Sequence, residues 1–191
     1  VALSFQKAIV GEKHIYALVQ NWKKDQEEAL KLKDSCEPER FYMLNYESLI
    51  ADPETEMRKL CDFLQVPYTD KIMEYYTSRE SKNTAVAGKM WSNVTKPILK
   101  NNSKKFMNEL SSEDIRIFES VAGDVLVKLG YELVTPADQL ISDFSVDEIA
   151  RFKDLNAQLK QTFRQKMDPA DLEKRRKQEE LLNRIKQYTS Y

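Results

Sequence analysis

The residues best suited to chemistry in this chain lie in one stretch, Trp91-Ser92-Asn93-Val94-Thr95-Lys96-Pro97-Ile98-Leu99-Lys100-Asn101-Asn102-Ser103-Lys104-Lys105-Phe106. It is polar, rich in lysine and aromatic at both ends, and it follows Gly88-Lys89, the single Gly-Lys pair of the sequence. Ammonium groups supply charge to an anion. Hydroxyl, amide and backbone N–H groups supply hydrogen bonds, and an aromatic ring supplies a stacking face, so this mixture can hold a phosphorylated ligand. The alternative is an exposed, charged connector, which the same composition fits. Near the start of the chain Ser4 stands where an apolar run passes into a helix. There its hydroxyl and N–H can face an anion, or it can simply cap the helix or complete a turn.

Composition narrows the classes of function. With 191 residues, 41% hydrophobic and 32% charged, the chain can bury one ordinary core and reads as soluble and globular. Thirty Lys+Arg against 31 Asp+Glu leave a net charge of −1, so no overall field favours nucleic acid or an anionic membrane, and any anion site is local. Four glycines are too few for the turns of an all-β protein and point to a helix-rich chain. Cys36 and Cys61 lack a CxxC or Cys/His ligand pattern and read as reduced and structural. His14 is the single histidine, which excludes a histidine metal site and suggests a place on a helix surface; no metal is implied. No apolar run reaches the roughly 18 residues of a membrane span, and the first residues lack a signal-peptide pattern, so the cytoplasm is the expected compartment. Residue 1 is Val and falls inside a strand-to-helix passage, from which we expect a piece of a longer protein.

The elements that must position these residues follow from periodicity. Residues 1–9 read as the end of a strand entering a short helix. Residues 14–33 predict a helix with Ile15, Leu18, Val19 and Trp22 on one face. Residues 41–46, Phe-Tyr-Met-Leu-Asn-Tyr, are the clearest strand, apolar enough to be covered by helices on both faces. Asp52 then caps a helix whose first residue is Pro53 and which buries Met57, Leu60, Cys61 and Leu64. Another short helix is expected at 69–76, followed by a polar loop over 77–87. Ser111 or Ser112 caps a further helix carrying Ile115, Phe118, Val121, Ala122, Val125, Leu126 and Leu129, and Gly130 closes it in the left-handed conformation.

Beyond Pro136 the pattern becomes that of a helical hairpin, with Val146, Ile149, Phe152, Leu155, Leu159 and Phe163 on its first helix and a second helix starting at Asp168-Pro169. Its expected job is that of an appendage or a homodimer contact. Lys174-Arg175-Arg176-Lys177 is flanked by Glu173, Glu179 and Glu180 and reads as a solvated helix face, not as a nucleic-acid patch.

Three pieces taken in order carry a resemblance: Ser4 after its apolar run, Tyr46-Glu47-Ser48-Leu49 followed by Asp52-Pro53, and the lysine-rich stretch followed by Leu129-Gly130-Tyr131. Over residues 1–134 the chain resembles the C-terminal half of a sulfotransferase, the family that uses 3′-phosphoadenosine 5′-phosphosulfate, in its bacterial branch similar to tyrosylprotein sulfotransferases. Residues 135–191 form a separate helical arm. The resemblance implies a three-layer α/β fold of P-loop NTPase type, related to nucleotide kinases. Its cofactor sites fall on Ser4 and Lys105 for the 3′-phosphate, with Lys96 and Lys89 nearby, on Tyr46 beside the adenine, and on Trp91 near the transferred group. Ser92 is the one candidate for a catalytic role. The acceptor it implies bears a hydroxyl, on a small molecule, a glycan or a protein tyrosine.

The departures are as informative. No Gly-rich phosphate loop occurs in the sequence, and the arginine that the family pairs with the serine has no counterpart in residues 1–3. Ala8 stands where some relatives keep a base, with Lys7 as the available substitute. The chain is therefore expected to supply half an active site. The competing expectation is a helical protein-interaction or dimerisation module without catalysis.

Overall fold

A computed structural model describes residues 1–8, 10–86 and 89–188; the side chains of residues 89, 90, 101, 170, 171, 174 and 175 lie outside the description. The α-helices among the described residues are α1 (Ala2–Lys7), α2 (Ile15–Ser35), α3 (Tyr46–Ala51), α4 (Pro53–Phe63), α5 (Arg79–Val86), α6 (Phe106–Glu109), α7 (Ser112–Lys128), α8 (Val146–Gln165) and α9 (Pro169–Tyr188). Tight 3₁₀ turns lie between them, and no strand occurs among the described residues.

Helices α2 and α7 form the central pair. The stripe expected on α2 is the one buried: Ile15 and Val19 are fully enclosed, Leu18 nearly so, and the Trp22 ring meets Phe118 of α7 at 5.3 Å. A side chain enclosed to this degree contributes about 1.5–3 kcal/mol. Helix α7 starts at Ser111, whose hydroxyl accepts from the Asp114 N–H at 3.0 Å, and buries Ala122 and Val125 as its spacing predicts. It also buries Ile117 and Glu119, which lie outside the predicted stripe. The Glu119 carboxylate is satisfied by the backbone N–H groups of Val134 (2.9 Å) and Thr135 (2.7 Å), so it pins the segment leaving α7.

Helix α8 shares this core. Phe152 joins Ala2, Ile15, Leu18 and Ile117 in one cluster. Asn156, one turn further along, accepts at Oδ1 from the N–H groups of Lys13 (2.8 Å) and His14 (3.0 Å) and donates to Glu12. The turn between α1 and α2 is therefore clamped by α8. Gly11, at φ +82°, provides the left-handed residue that turn requires. Lys13 is buried, its ammonium group donating to the carbonyls of Phe5 (2.9 Å) and Val10 (2.7 Å).

Four local expectations are corrected. Residues 41–45 are not a strand: they run without helical or ladder bonding, and no strand occurs among the described residues to pair with them. Tyr46, expected at the strand end, is the first residue of α3, because the Asn45 side chain accepts from the Ser48 N–H at 3.1 Å and caps a helix there. The α/β layering is thus not visible in the described residues, which are helical and looped. The polar run after Thr77 is not a plain loop: Ser78 accepts from the Ser81 N–H at 3.0 Å and starts α5. His14 is not a surface residue either. It is the N-cap of α2, with Nδ1 accepting from the Tyr16 N–H at 3.2 Å and its ring stacked on Phe152 at 4.8 Å.

The cap expected at the start of α4 is present. Asp52 caps α4 through the Thr55 N–H at 3.3 Å, with Pro53 at its first position. Cys36 and Cys61 are free thiols. No helix among the described residues is long and apolar enough to cross a membrane.

Candidate functional site

The C-terminus of α7 sets the first part of the site. Gly130, at φ +84°, lets the chain reverse, so that the N–H of Tyr131 bonds the Leu126 carbonyl at 2.9 Å and the N–H of Gly130 bonds that of Val127 at 3.0 Å. This is the doubly bonded helix ending that glycine favours. It aims the Tyr131 ring at α3, where the phenol donates to Glu47 Oε2 at 3.0 Å and lies 3.4 Å from the Asn45 amide that donates to it. Burial, reinforced by the Glu47 hydrogen bond and charge, holds the Tyr131 phenol above its ordinary pKa. Asn45 and Glu47 flank Tyr46, so the start of α3 is fixed on both sides.

Tyr46 itself keeps 44% of its surface exposed, and its phenol oxygen accepts from Asn102 Nδ2 at 2.7 Å. Asn102 ends the 3₁₀ turn Lys100–Asn102 inside the lysine-rich stretch. The residues that follow are redirected by Lys104, which has φ +55°, an uncommon left-handed conformation for a residue with a side chain. Lys105 therefore sits at the mouth of α6, its carbonyl accepting from the Asn108 and Glu109 N–H groups at 3.1 and 3.0 Å.

Helix α6 is tied to α1 by an ion pair between Lys7 and Glu109. The hydrogen bond from Lys7 lowers the Glu109 pKa, and the positive charges of Lys7 and Lys105 add to the effect. Ser4 lies one turn before Lys7 on α1, on the same face. Its N–H is already bonded to the Val1 carbonyl at 2.9 Å, so only its exposed hydroxyl is available, not the N–H expected at a helix start.

Residues 2–70 match the model of the sulfotransferase family. Over that stretch the chain is similar to sulfotransferases. A relative from Aquifex aeolicus (strain VF5), described as an uncharacterized protein, is 35% identical over 48 residues, which cover 25% of this chain and 6% of that protein. The match thus spans a small share of that relative's length. No solved structure matches the chain.

The matched segment contains Ser4, Lys7 and Tyr46, and it ends before the lysine-rich stretch. The fold joins the matched segment to the lysine-rich stretch through Tyr46 with Asn102, and to the end of the following helix α6 through Lys7 with Glu109. Asn102, Glu109 and Tyr131 are the positioning residues that spacing alone did not single out for these roles. A polar residue with no periodic neighbour carries no signal of its partner.

Trp91, Ser92 and Lys96 are held elsewhere. Their 3₁₀ segment, Lys89–Thr95, packs against α5 and the turn Asp70–Thr77. The Lys96 carbonyl accepts from the Tyr75 phenol at 2.9 Å, its ammonium group donates to Asn93 at 3.0 Å, and the Ser92 carbonyl accepts from Thr95 at 3.1 Å. Among the described residues no hydrogen bond or ion pair links Trp91, Ser92 or Lys96 to Ser4, Tyr46 or Lys105. Gly88 and the side chain of Lys89 lie outside the described residues. No group of three or more His, Cys, Asp or Glu among the described residues is arranged to hold a metal ion.

Chemically, Ser4 offers a hydroxyl, Lys7 and Lys105 offer ammonium groups, and Tyr46 offers an exposed aromatic ring. Those groups fit a phosphate and a flat base.

Proposed function

We propose that this chain forms the adenine and 3′-phosphate side of a sulfotransferase that transfers a sulfuryl group from 3′-phosphoadenosine 5′-phosphosulfate to a hydroxyl acceptor. The observation that carries this reading is that α1 and α3 of the matched segment both reach the same short stretch, residues 100–109, through Lys7–Glu109 and Tyr46–Asn102. Ser4, Lys7 and Lys105 bind the 3′-phosphate, because a doubly charged oxyanion is held best by ammonium and hydroxyl donors together. The Tyr46 ring stacks against the adenine. Bound there, the nucleotide supplies the activated sulfuryl group. These residues anchor it so that an in-line attack can occur, and they offset charge on the departing bisphosphate. No metal enters this scheme.

In the same reading, Trp91 and Ser92 belong to the transferred-group end, and Lys96 and Lys89 are further basic candidates for the 3′-phosphate side. The catalytic base and the 5′-phosphosulfate contacts are not assigned to residues of this chain. The three-layer α/β arrangement of the family belongs to this reading too. Residues 1–134 form the nucleotide-binding portion, and 135–191 brace it. The acceptor is a small molecule, a glycan or a protein tyrosine, the last in keeping with the branch similar to tyrosylprotein sulfotransferases.

Thermal melting with 3′,5′-adenosine bisphosphate tests the proposal. At about a hundred times the dissociation constant the ligand should add roughly 2.7 kcal/mol of stability. An unchanged melting temperature in folded protein overturns it.

A second reading, a helical interaction or homodimerisation module, draws on Leu155, Leu159, Leu181 and Leu182, which are all exposed along α8 and α9. Mass in solution before and after Leu181→Glu and Leu182→Glu separates it from the first.

A further inference from the structure

Lys7 and Glu109 lie 102 positions apart in the chain and form an ion pair between two helices of only six and four residues. Helices this short do not stand on their own propensity. The pair is also placed unusually for a simple tether. The Glu109 carboxylate pairs with Lys7, Lys105 stands one helical turn before Glu109 and accepts its N–H at 3.0 Å, and Ser4 stands one turn before Lys7 on α1. Glu109 is therefore a carboxylate paired with one candidate anion donor and one helical turn from another.

We propose that Glu109 is a built-in stand-in for the ligand's phosphate: it neutralises the cluster when no ligand is bound and swings away when an anion takes its place between Lys7, Lys105 and Ser4. This deepens the nucleotide-binding reading of the preceding subsection and rests on it. The chemistry is exchange of one anion for another. Two lysines and one carboxylate carry a net charge of +1, enough to attract a phosphate. A bound phosphate and a fixed carboxylate would repel at close range, and such like-charge contacts are costly. The Glu109 side chain is about one-third exposed and sits on the last residue of α6, so it can rotate into solvent. Lys7, 63% exposed, is free to follow the anion.

The consequence is that Glu109 opposes binding. Calorimetric titration of the whole chain, wild type and Glu109→Gln, with 3′,5′-adenosine bisphosphate and separately with inorganic phosphate, tests this. Glu109→Gln should bind both anions about threefold to tenfold more tightly, the scale of one partly screened charge contact. Lys7→Met should bind both more weakly than wild type. Glu109→Ala serves as the second variant, since it removes the same charge without offering a new amide, and it should also tighten binding.

If the Glu109 variants bind either anion equally or less well than wild type, Glu109 is a tether and the proposal falls. If inorganic phosphate binds, more tightly in Glu109→Gln, while the nucleotide does not bind, the stand-in role holds and the sulfotransferase reading fails instead. If neither anion binds to any of these proteins, both fall.

Discussion

The phenol oxygen of Tyr46 accepts a 2.7 Å hydrogen bond from Asn102 Nδ2, across 56 positions of sequence. It joins the first residue of a helix in the family-matched segment to the end of a turn in the lysine-rich stretch. Tyr46→Phe keeps the ring and removes the bond, whose net worth is about 0.5–1.5 kcal/mol. Binding of 3′,5′-adenosine bisphosphate should weaken by roughly twofold to tenfold. Asn102→Ala should do the same, and the double variant should be no worse than either alone. Fully additive losses by calorimetry would show that the pair does not act as a unit.

Lys105→Ala removes one charged donor to the proposed 3′-phosphate. Hydrogen bonds to charged groups are worth about 1.5–3 kcal/mol, so the loss in affinity should reach at least about tenfold. Lys174→Ala, at a position outside residues 100–109, should leave affinity unchanged. Equal losses in the two variants would mean that a diffuse positive surface does the binding.

His14 provides a pH signature. Burial lowers its pKa, with the Asp114 carboxylate partly opposing and the Arg151 charge adding to the fall. A histidine whose folded pKa is depressed contributes stability that is full above the unfolded value, near 6.5, and lost as pH falls through the folded value. His14→Asn retains a side-chain acceptor for the Tyr16 N–H but does not titrate. Its stability in urea should therefore fall less between about pH 7 and pH 5 than that of wild type. Parallel curves for the two proteins would assign the acid sensitivity to other groups.

Asn156 and Phe152 test whether α8 is part of the core. Phe152→Ala leaves a cavity beneath Ile15, Leu18 and Ile117 and should cost about 3–5 kcal/mol. Asn156→Ala strips the acceptor from the Lys13 and His14 N–H groups and should cost about 1–3 kcal/mol. Both losses are readable as shifts in the urea midpoint at constant slope. Losses below about 0.5 kcal/mol would make α8 an appendage of the kind first expected.

What the sequence by itself determined is what depends on neighbours a few positions away. The α2 stripe of Ile15, Leu18 and Val19, the Asp52 cap with Pro53, the Ser111 cap and the Gly130 ending are all set by contacts within about one turn of helix. Residue type and spacing are enough to specify such contacts.

The tertiary structure decided what needs a distant partner. Tyr46 was legible as a candidate, yet whether it ended a strand or began a helix depended on the Asn45 cap and on the lack of a neighbouring strand among the described residues. Lys7, Lys105 and Tyr131 could be named from the chain. That Lys7 meets Glu109, Tyr131 meets Glu47 and Phe152 closes the core over Ile15 could not, because those partners are 84 to 102 positions away in the two polar pairs and belong to a different helix in the third. A side chain's type says what it can bind, and only packing brings it within hydrogen-bond or van der Waals range of a particular partner.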